Sequence, residues 1–414
     1  MTVTAKNAKD APGSGMRWGY PRAAITISLG NFLCDAACAL WWPFIPLYLM
    51  DVGAPTAAEA VYWLAVASVV QGVGRLVAGP FWGVLSDRYG RKMMYLRSVI
   101  GLFFTTIMFA FIAEPWQVVI VLGIHGVFSG YDGPAVAMLS VSVPDSQFKK
   151  SLGLFTALRY LGQSVGPAIG AVLTIVFSYR DTILVSAVLT GAVLVWVSRA
   201  APADRIVLNH DGKPEARPKL EPFRPTNQLW LAVFIFGILV TLSQVLRITT
   251  PIALQFIEGH DVPGVTGIAF TLGGLAAAAG VFVLSSRYFR IGRLRPALIA
   301  CSLIVGVAFL LLGFIDSVTP YVLMFSLISL LQAAMIPTSN MLIAFNTSTA
   351  RRGTAFGLGG SAQAISIALG PIAAAVFVAT SMRAGFAAVA LMCAALALLV
   401  HKQLREPRPE QSDS

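Results

Sequence analysis

Six ionisable side chains stand inside long apolar runs: Asp35, Arg75, His125, Asp132, Arg159 and Arg247. A charge at bilayer depth is costly, so such groups face protein interiors or water-filled cavities and mark substrate or proton pathways. Asp35 lies thirteen residues beyond Arg22, about 20 Å along a helix. Asp132 lies twelve residues before Pro144, Arg75 twelve before Asp87, and Arg159 nine after Lys150. All four therefore fall near mid-depth. Two acids and two arginines at one level can neutralise one another as a static ion-pair set. Alternatively, one acid gives up and regains a proton as its arginine partner moves. For that exchange Asp35 is preferred, being four residues from Asn31 in a stretch otherwise apolar except for Cys34. Asp132 follows closely, since Tyr131, Gly130 and Gly133 open space around it. His125 reads first as a hydrogen-bonded helix contact and second as a proton relay. Arg247, far along its own segment, is either a gate residue or one that snorkels to the surface.

The second half of the chain supplies Gln244, Gln332, Asn340 and Gln363 at comparable places, and no acid. A ligand site there would be hydrogen-bonding and apolar. Trp41, Trp42, Phe128 and Tyr131 are candidate pocket rings, though aromatics also populate membrane interfaces.

These residues need twelve membrane spans to position them. The chain is 57% hydrophobic and 12% charged, with mean hydropathy +0.75, about half the charge of a soluble domain. Apolar segments near 24–49, 62–83, 93–113, 116–142, 153–178, 182–199, 229–256, 266–285, 294–315, 319–345, 354–380 and 384–401 approach or exceed the ~20 residues that cross a bilayer. Residues 1–20 are polar and basic, with no leader pattern expected. Of the thirty Lys and Arg, 25 fall in the N-terminus, alternate loops and the C-terminus, and two (Arg180, Arg383) in the other loops. That asymmetry predicts both termini in the cytoplasm of a cell (inner) membrane protein, and it explains the net charge of +11 without nucleic acid. Cys34, Cys38, Cys301 and Cys393 sit in apolar runs without metal-ligand spacing and are read as packing residues.

The longest polar stretch falls at the middle. It divides the chain into a tail (1–20), a first six-helix bundle (21–199), a linker (200–226), a second bundle (227–401) and a tail (402–414). Leu85-Ser86-Asp87-Arg88-Tyr89 recurs as Leu284-Ser285-Ser286-Arg287-Tyr288, 199 residues later. Gly153, Gly166 and Pro167 recur as Gly357, Gly370 and Pro371, each 204 later, and Pro134 recurs as Pro337. Offsets held across several helices imply two pseudo-symmetric bundles of shared design.

The chain resembles the major facilitator superfamily over nearly its whole length. The run from Gly83 to Lys92, with Leu85, Asp87, Arg88, Gly90 and Arg91, matches that family's motif between spans 2 and 3. Gly162, Gly166, Pro167 and Gly170 in span 5 resemble the motif of exporters, particularly bacterial drug:proton antiporters; Pro43-Phe44-Ile45-Pro46-Leu47-Tyr48 is similar to a pattern of multidrug efflux members. One departure is Leu122, standing four residues before Gly126, where antiporters carry an arginine. The resemblance implies an all-α integral membrane fold whose spans 1, 2, 4 and 5 face a cavity. It also implies a latch in which Asp87 meets the start of span 11 near Thr354, and Arg88 or Arg91 reaches Asp145. The same run also serves as a topology determinant. The span 5 glycines are open to two readings, tight packing or a hinge.

No nucleotide-binding loop, metal cluster or nucleophile–base arrangement is present in the sequence, so neither an enzyme nor direct ATP drive is expected. The leading expectation is a monomeric secondary transporter without cofactor. It would use the proton gradient to export small organic molecules by alternating access. A carrier of an anionic or zwitterionic metabolite is the first alternative and a non-transporting membrane sensor the second.

Overall fold

The computed structural model describes residues 16–17, 19–128, 130–200, 225–259, 263–289, 292–347 and 352–406. A two-residue antiparallel pairing, β1 (Met16–Arg17) with β2 (Tyr20–Pro21), precedes the first helix. Among the described residues, everything else of regular structure is helical. Span 1 is α1 (Arg22–Trp41), a tight turn at Trp42–Phe44, and α2 (Ile45–Asp51). Pro43 and Pro46 account for the interruption, since neither can donate a backbone hydrogen bond. Spans 2 and 3 are α3 (Ala57–Tyr89) and α4 (Arg91–Ala110). The run Gly83–Lys92 is thus not a loop: helix continues to Tyr89, and Gly90 alone turns the chain. Its φ of +93° is open to glycine and strained for other residues.

Span 4 is not the continuous helix that the sequence predicts. It breaks into α5 (Gln117–Phe128) and α6 (Asp132–Ser142) around Gly130, whose φ is +103°. Non-helical backbone at membrane depth is tolerated where protein or a cavity covers it. The break places Asp132 in the first turn of α6, where the helix dipole favours negative charge. Spans 5 to 7 are α7 (Asp145–Val176), α8 (Tyr179–Ala200) and α9 (Asn227–Glu258). Span 8 joins α10 (Pro263–Ala279), a wide π-helical stretch (Gly280–Ser285) and α11 (Ser286–Tyr288). Spans 9 to 12 are α12 (Leu294–Leu312), α13 (Val318–Phe345), α14 (Arg352–Ala379) and α15 (Met382–Gln403). Among the described residues, 11 spans are long and apolar enough to cross a bilayer. The twelfth, α7, has the length at 32 residues, and its interior residues Arg159, Gln163 and Ser164 dilute its hydropathy.

The packing repeats. In the first half α1 lies on α7, α3 on α5, and α4 on α8; in the second α9 lies on α14, α10 on α13, and α12 on α15. The halves meet where α3 packs on α14 and α7 on α10. The second half has one apolar core, running from Leu229 to Leu404. The first half has two. One, around Ile27, Tyr95, Val99 and Leu139, lies toward the end of the bundle that carries the chain termini. The other, around Trp41, Phe44, Tyr48, Leu64 and Phe109, lies at the opposite end and takes in Ile252 and Ala374 of the second half. The two halves therefore share a core at that end. At the terminus-bearing end, a Cβ added at Gly153 of α7 or at Gly357 or Gly360 of α14 would meet no atom within 4 Å.

Candidate substrate and proton site

α1 and α7 carry the first part of the site, and their close approach sets it. Gly162 faces the backbone of Phe32 and Ala36, Gly166 that of Ala36 and Ala39, and Gly170 the carbonyl oxygen of Leu40. Small residues at four-residue spacing let two helices meet backbone to backbone. Pro167 is carried inside α7 without ending it. This seam brings Asp35 of α1 beside α7, with Asp132 of α6 in reach of both helices.

Asn31 is fully buried and ties the acids together: its Nδ2 donates to Asp35 Oδ2 at 2.7 Å and to Asp132 Oδ1 at 3.2 Å. Tyr131 Oη donates to Asp35 Oδ1 at 3.2 Å and lies 3.9 Å from Cys38 Sγ. Gln163 Nε2 reaches Asp35 Oδ1 at 3.5 Å. Asp132 Oδ2 forms an ion pair with Arg159 at 3.0 Å, each side chain a little over one third exposed. Asp35 is 5% exposed. One carboxylate is thus matched to an arginine, while the other is held by neutral donors alone. Arg75, half-buried on α3, stands within electrostatic reach of Asp132 and Arg159.

The second part is a cavity of about 530 Å³ between the halves. Arg159, Gln163 and Tyr160 of α7 form its first-half wall. Gln244 and Arg247 of α9, Gln332 and Asn340 of α13, and Gln363 of α14 line the other side. Phe236, Phe270 and Phe325 supply its rings. Trp41, Trp42 and Phe128 are packed elsewhere: Trp41 on Phe109 at 4.7 Å between centroids, Trp42 near His125 at 6.2 Å, and Phe128 near Trp82 at 5.9 Å. His125 is buried and its Nδ1 lies 3.0 Å from Thr105 Oγ1, which makes it a helix contact. Arg247 does not reach the outer surface; it lines the cavity and a void of about 20 Å³ beyond it, beside Trp42, Leu64 and Pro371.

The cavity stretches from Asn340, near the terminus-bearing end of α13, to Arg247, deep along α9. With the shared core at the opposite end, it has an apolar floor there. Gln163, which touches Asp35 and lines the cavity, is missed by a reading that seeks only charges; its place four residues after Arg159 is the available signal. The latch expectation falls largely outside the described side chains, which exclude those of Asp87, Arg88, Asp145 and Thr354; Gly83 and Arg91 lie in the helices flanking Gly90.

The family model for the Major Facilitator Superfamily matches residues 27–328 and 263–414. The chain is similar to the multidrug resistance protein MdtG of Proteus mirabilis, 28% identical over 375 residues covering 89% of this chain and 91% of that protein. It is likewise similar to MdtG of Enterobacter lignolyticus, 26% identical over 405 residues covering 94% and 92%. Among solved structures it is similar in fold to the human organic anion transporter MFSD10, with TM-score 0.69 and 18% identity over 92% of this chain and 99% of that one. A POT family transporter in complex with 5-aminolevulinic acid gives TM-score 0.75 and 12% identity over 95% and 98%. With this match across both halves, and a central cavity between two repeated bundles, the chain belongs to the Major Facilitator Superfamily.

Proposed function

We propose that this membrane transporter exports small amphipathic molecules from the cytoplasm in exchange for protons. The observation that carries the reading is the juxtaposition of Asp35 with the cavity wall. A carboxyl group held by Asn31, Tyr131 and Gln163, without a cation of its own, touches the cavity through Gln163. Its neighbour Asp132 is neutralised by Arg159, which itself lines the cavity. A ligand that draws Arg159 away from Asp132 changes the charge seen by Asp35, and a proton arriving at Asp35 changes the charge seen by the ligand. That is the linkage alternating access requires. The similarity to MdtG, a multidrug resistance protein, supports drugs as cargo.

The lysine and arginine asymmetry supports termini on the cytoplasmic side. The cavity then opens inward and the shared core of Trp41, Phe44, Tyr48 and Ile252 closes the outer face. We take the working unit to be one chain, since each half already finds its partner within it.

The test is transport by the purified protein in liposomes. A panel of cationic, neutral and anionic amphipathic dyes should accumulate when an acid-inside gradient is imposed, and a proton ionophore should abolish the accumulation. Accumulation that ignores the gradient would remove proton coupling. No movement of any dye would favour a non-transporting sensor.

A further inference from the structure

The charge balance of the cavity points to its ligand. Two arginines line it, Arg159 and Arg247, and no aspartate or glutamate does. Arg159 is already matched by Asp132. Arg247 is not: among the described residues no carboxylate forms an ion pair with it, and Asp35 acts on it only at a distance. A guanidinium carries five donors and stays charged, so one left without an acid in a low-dielectric wall is costly until an anion reaches it.

A second group points the same way. Gln332 is 3% exposed and lines the cavity. Its Oε1 accepts from Ser243 Oγ at 2.9 Å, which leaves its Nε2 as a buried donor with no partner. An unmet buried donor carries a desolvation penalty that a ligand acceptor would relieve. Ser243 stands four residues before Arg247 on α9, on the same helical face. Guanidinium and amide thus line the same cavity, the amide through its contact with Ser243 one turn from Arg247. Beside them, Phe270 and Phe325 pack with centroids 5.3 Å apart. A Cβ at Gly273 would overlap the Phe325 ring, so the glycine makes room for that ring.

We propose that Arg247 and Gln332 form an anion subsite, and that the preferred cargo is an amphipathic organic anion: a carboxylate, sulfonate or phosphonate on an aromatic or aliphatic body. The anionic head docks on Arg247 and Gln332, and the apolar body lies against Phe236, Phe270 and Phe325. Lipophilic cations find no carboxylate in the cavity lining. The inference rests on the transporter reading above and names its substrate class.

Three probes sharing one ring system test it: naphthalene-2-sulfonate, 2-naphthyltrimethylammonium and the neutral naphthalene-2-sulfonamide. Binding to the purified full-length protein is read by calorimetry. Wild type should bind the sulfonate at least about tenfold more tightly than the ammonium. Arg247→Gln should weaken the sulfonate by about tenfold or more while leaving the sulfonamide within about twofold. Gln332→Leu should weaken the sulfonate by a smaller factor, and Arg247→Lys should retain part of the preference. Equal binding of sulfonate and ammonium by wild type overturns the proposal without recourse to a variant, as does failure to bind the sulfonate at millimolar concentration. Equal losses of sulfonate and sulfonamide in Arg247→Gln would also overturn it. The gradient assay on the neutral dyes reports separately on proton-coupled export, so that reading can stand while the anion subsite falls.

Discussion

Arg159 on α7 and Gln363 on α14 occupy equivalent places in the two halves, 204 residues apart, and both line the central cavity. Around Arg159 stand two carboxyl groups, an asparagine and a tyrosine in a connected network. Gln363 shares the cavity lining with amides, phenylalanines and Arg247, which makes no ion pair among the described residues. One helical plan has therefore been given two polar interiors. The first half holds groups whose charge can change with a proton; the second holds donors whose charge is fixed. Under the proposed function, coupling falls to the first half and recognition to the second.

The seams show the same divergence. Gly162, Gly166 and Gly170 meet α1 backbone to backbone. Their counterparts 204 residues on are Ser366, Gly370 and Ala374: Ser366 Oγ donates to the Gly237 carbonyl of α9 at 2.8 Å, and Gly370 closely approaches the side chain of Gln244. The largest effect is expected here. Gly170→Val drives a branched side chain into the Leu40 carbonyl, which cannot move without shifting α1, and folded protein should be lost from size-exclusion profiles. Gly370→Ala meets a side chain instead and should yield folded protein with a lowered melting temperature.

Next in size is the charge network itself. Arg159→Gln copies the second half into the first and strands Asp132 beside Asp35. It should cost about 2 kcal/mol of stability, less than for a fully buried pair because the pair is partly solvated through the cavity. Adding Asp132→Asn should recover much of that loss, a coupling that a double-mutant thermal unfolding series reads directly. Gln363→Leu at the equivalent position should change stability by under about 1 kcal/mol. Equal costs at the two positions would erase the distinction between the halves.

The smallest effects should mark what the halves keep in common. Gly90, at the turn into α4, has φ of +93°, and Gly292, at the turn into α12, has φ of +87°. Alanine at either should cost about 1–3 kcal/mol, and the two losses measured by thermal unfolding should agree. A large difference would mean that the turns are not equivalent.

Much of the architecture is legible in the sequence because membrane spans are written as length and hydropathy, and the repeat as fixed offsets. Asp35, Asp132 and Arg159 are legible as a cluster because depth along a helix is simple arithmetic. Three features are not legible in that way. The break at Gly130 needs a positive φ that Gly-Tyr-Asp-Gly permits but does not demand. The helical course of Leu85–Tyr89 is hidden by its charge, which reads as loop although Leu85 and Arg88 are good helix formers. The ligation of Asp35 by Gln163 depends on the glycine seam, which sets the distance between α1 and α7 and has no signature in either helix alone. The rings of the cavity, Phe236, Phe270 and Phe325, are indistinguishable in sequence from lipid-facing aromatics.

The central claim, that the proton is handled in the first half and the cargo in the second, is tested most directly by one paired transport measurement on Asp35→Asn. Gradient-driven accumulation and gradient-free exchange of the same substrate are recorded on the same liposomes. The account predicts that accumulation collapses to the exchange level while exchange itself persists, because the cavity wall of α9, α13 and α14 is untouched. Accumulation equal to that of wild type would contradict it and remove Asp35 from the coupling.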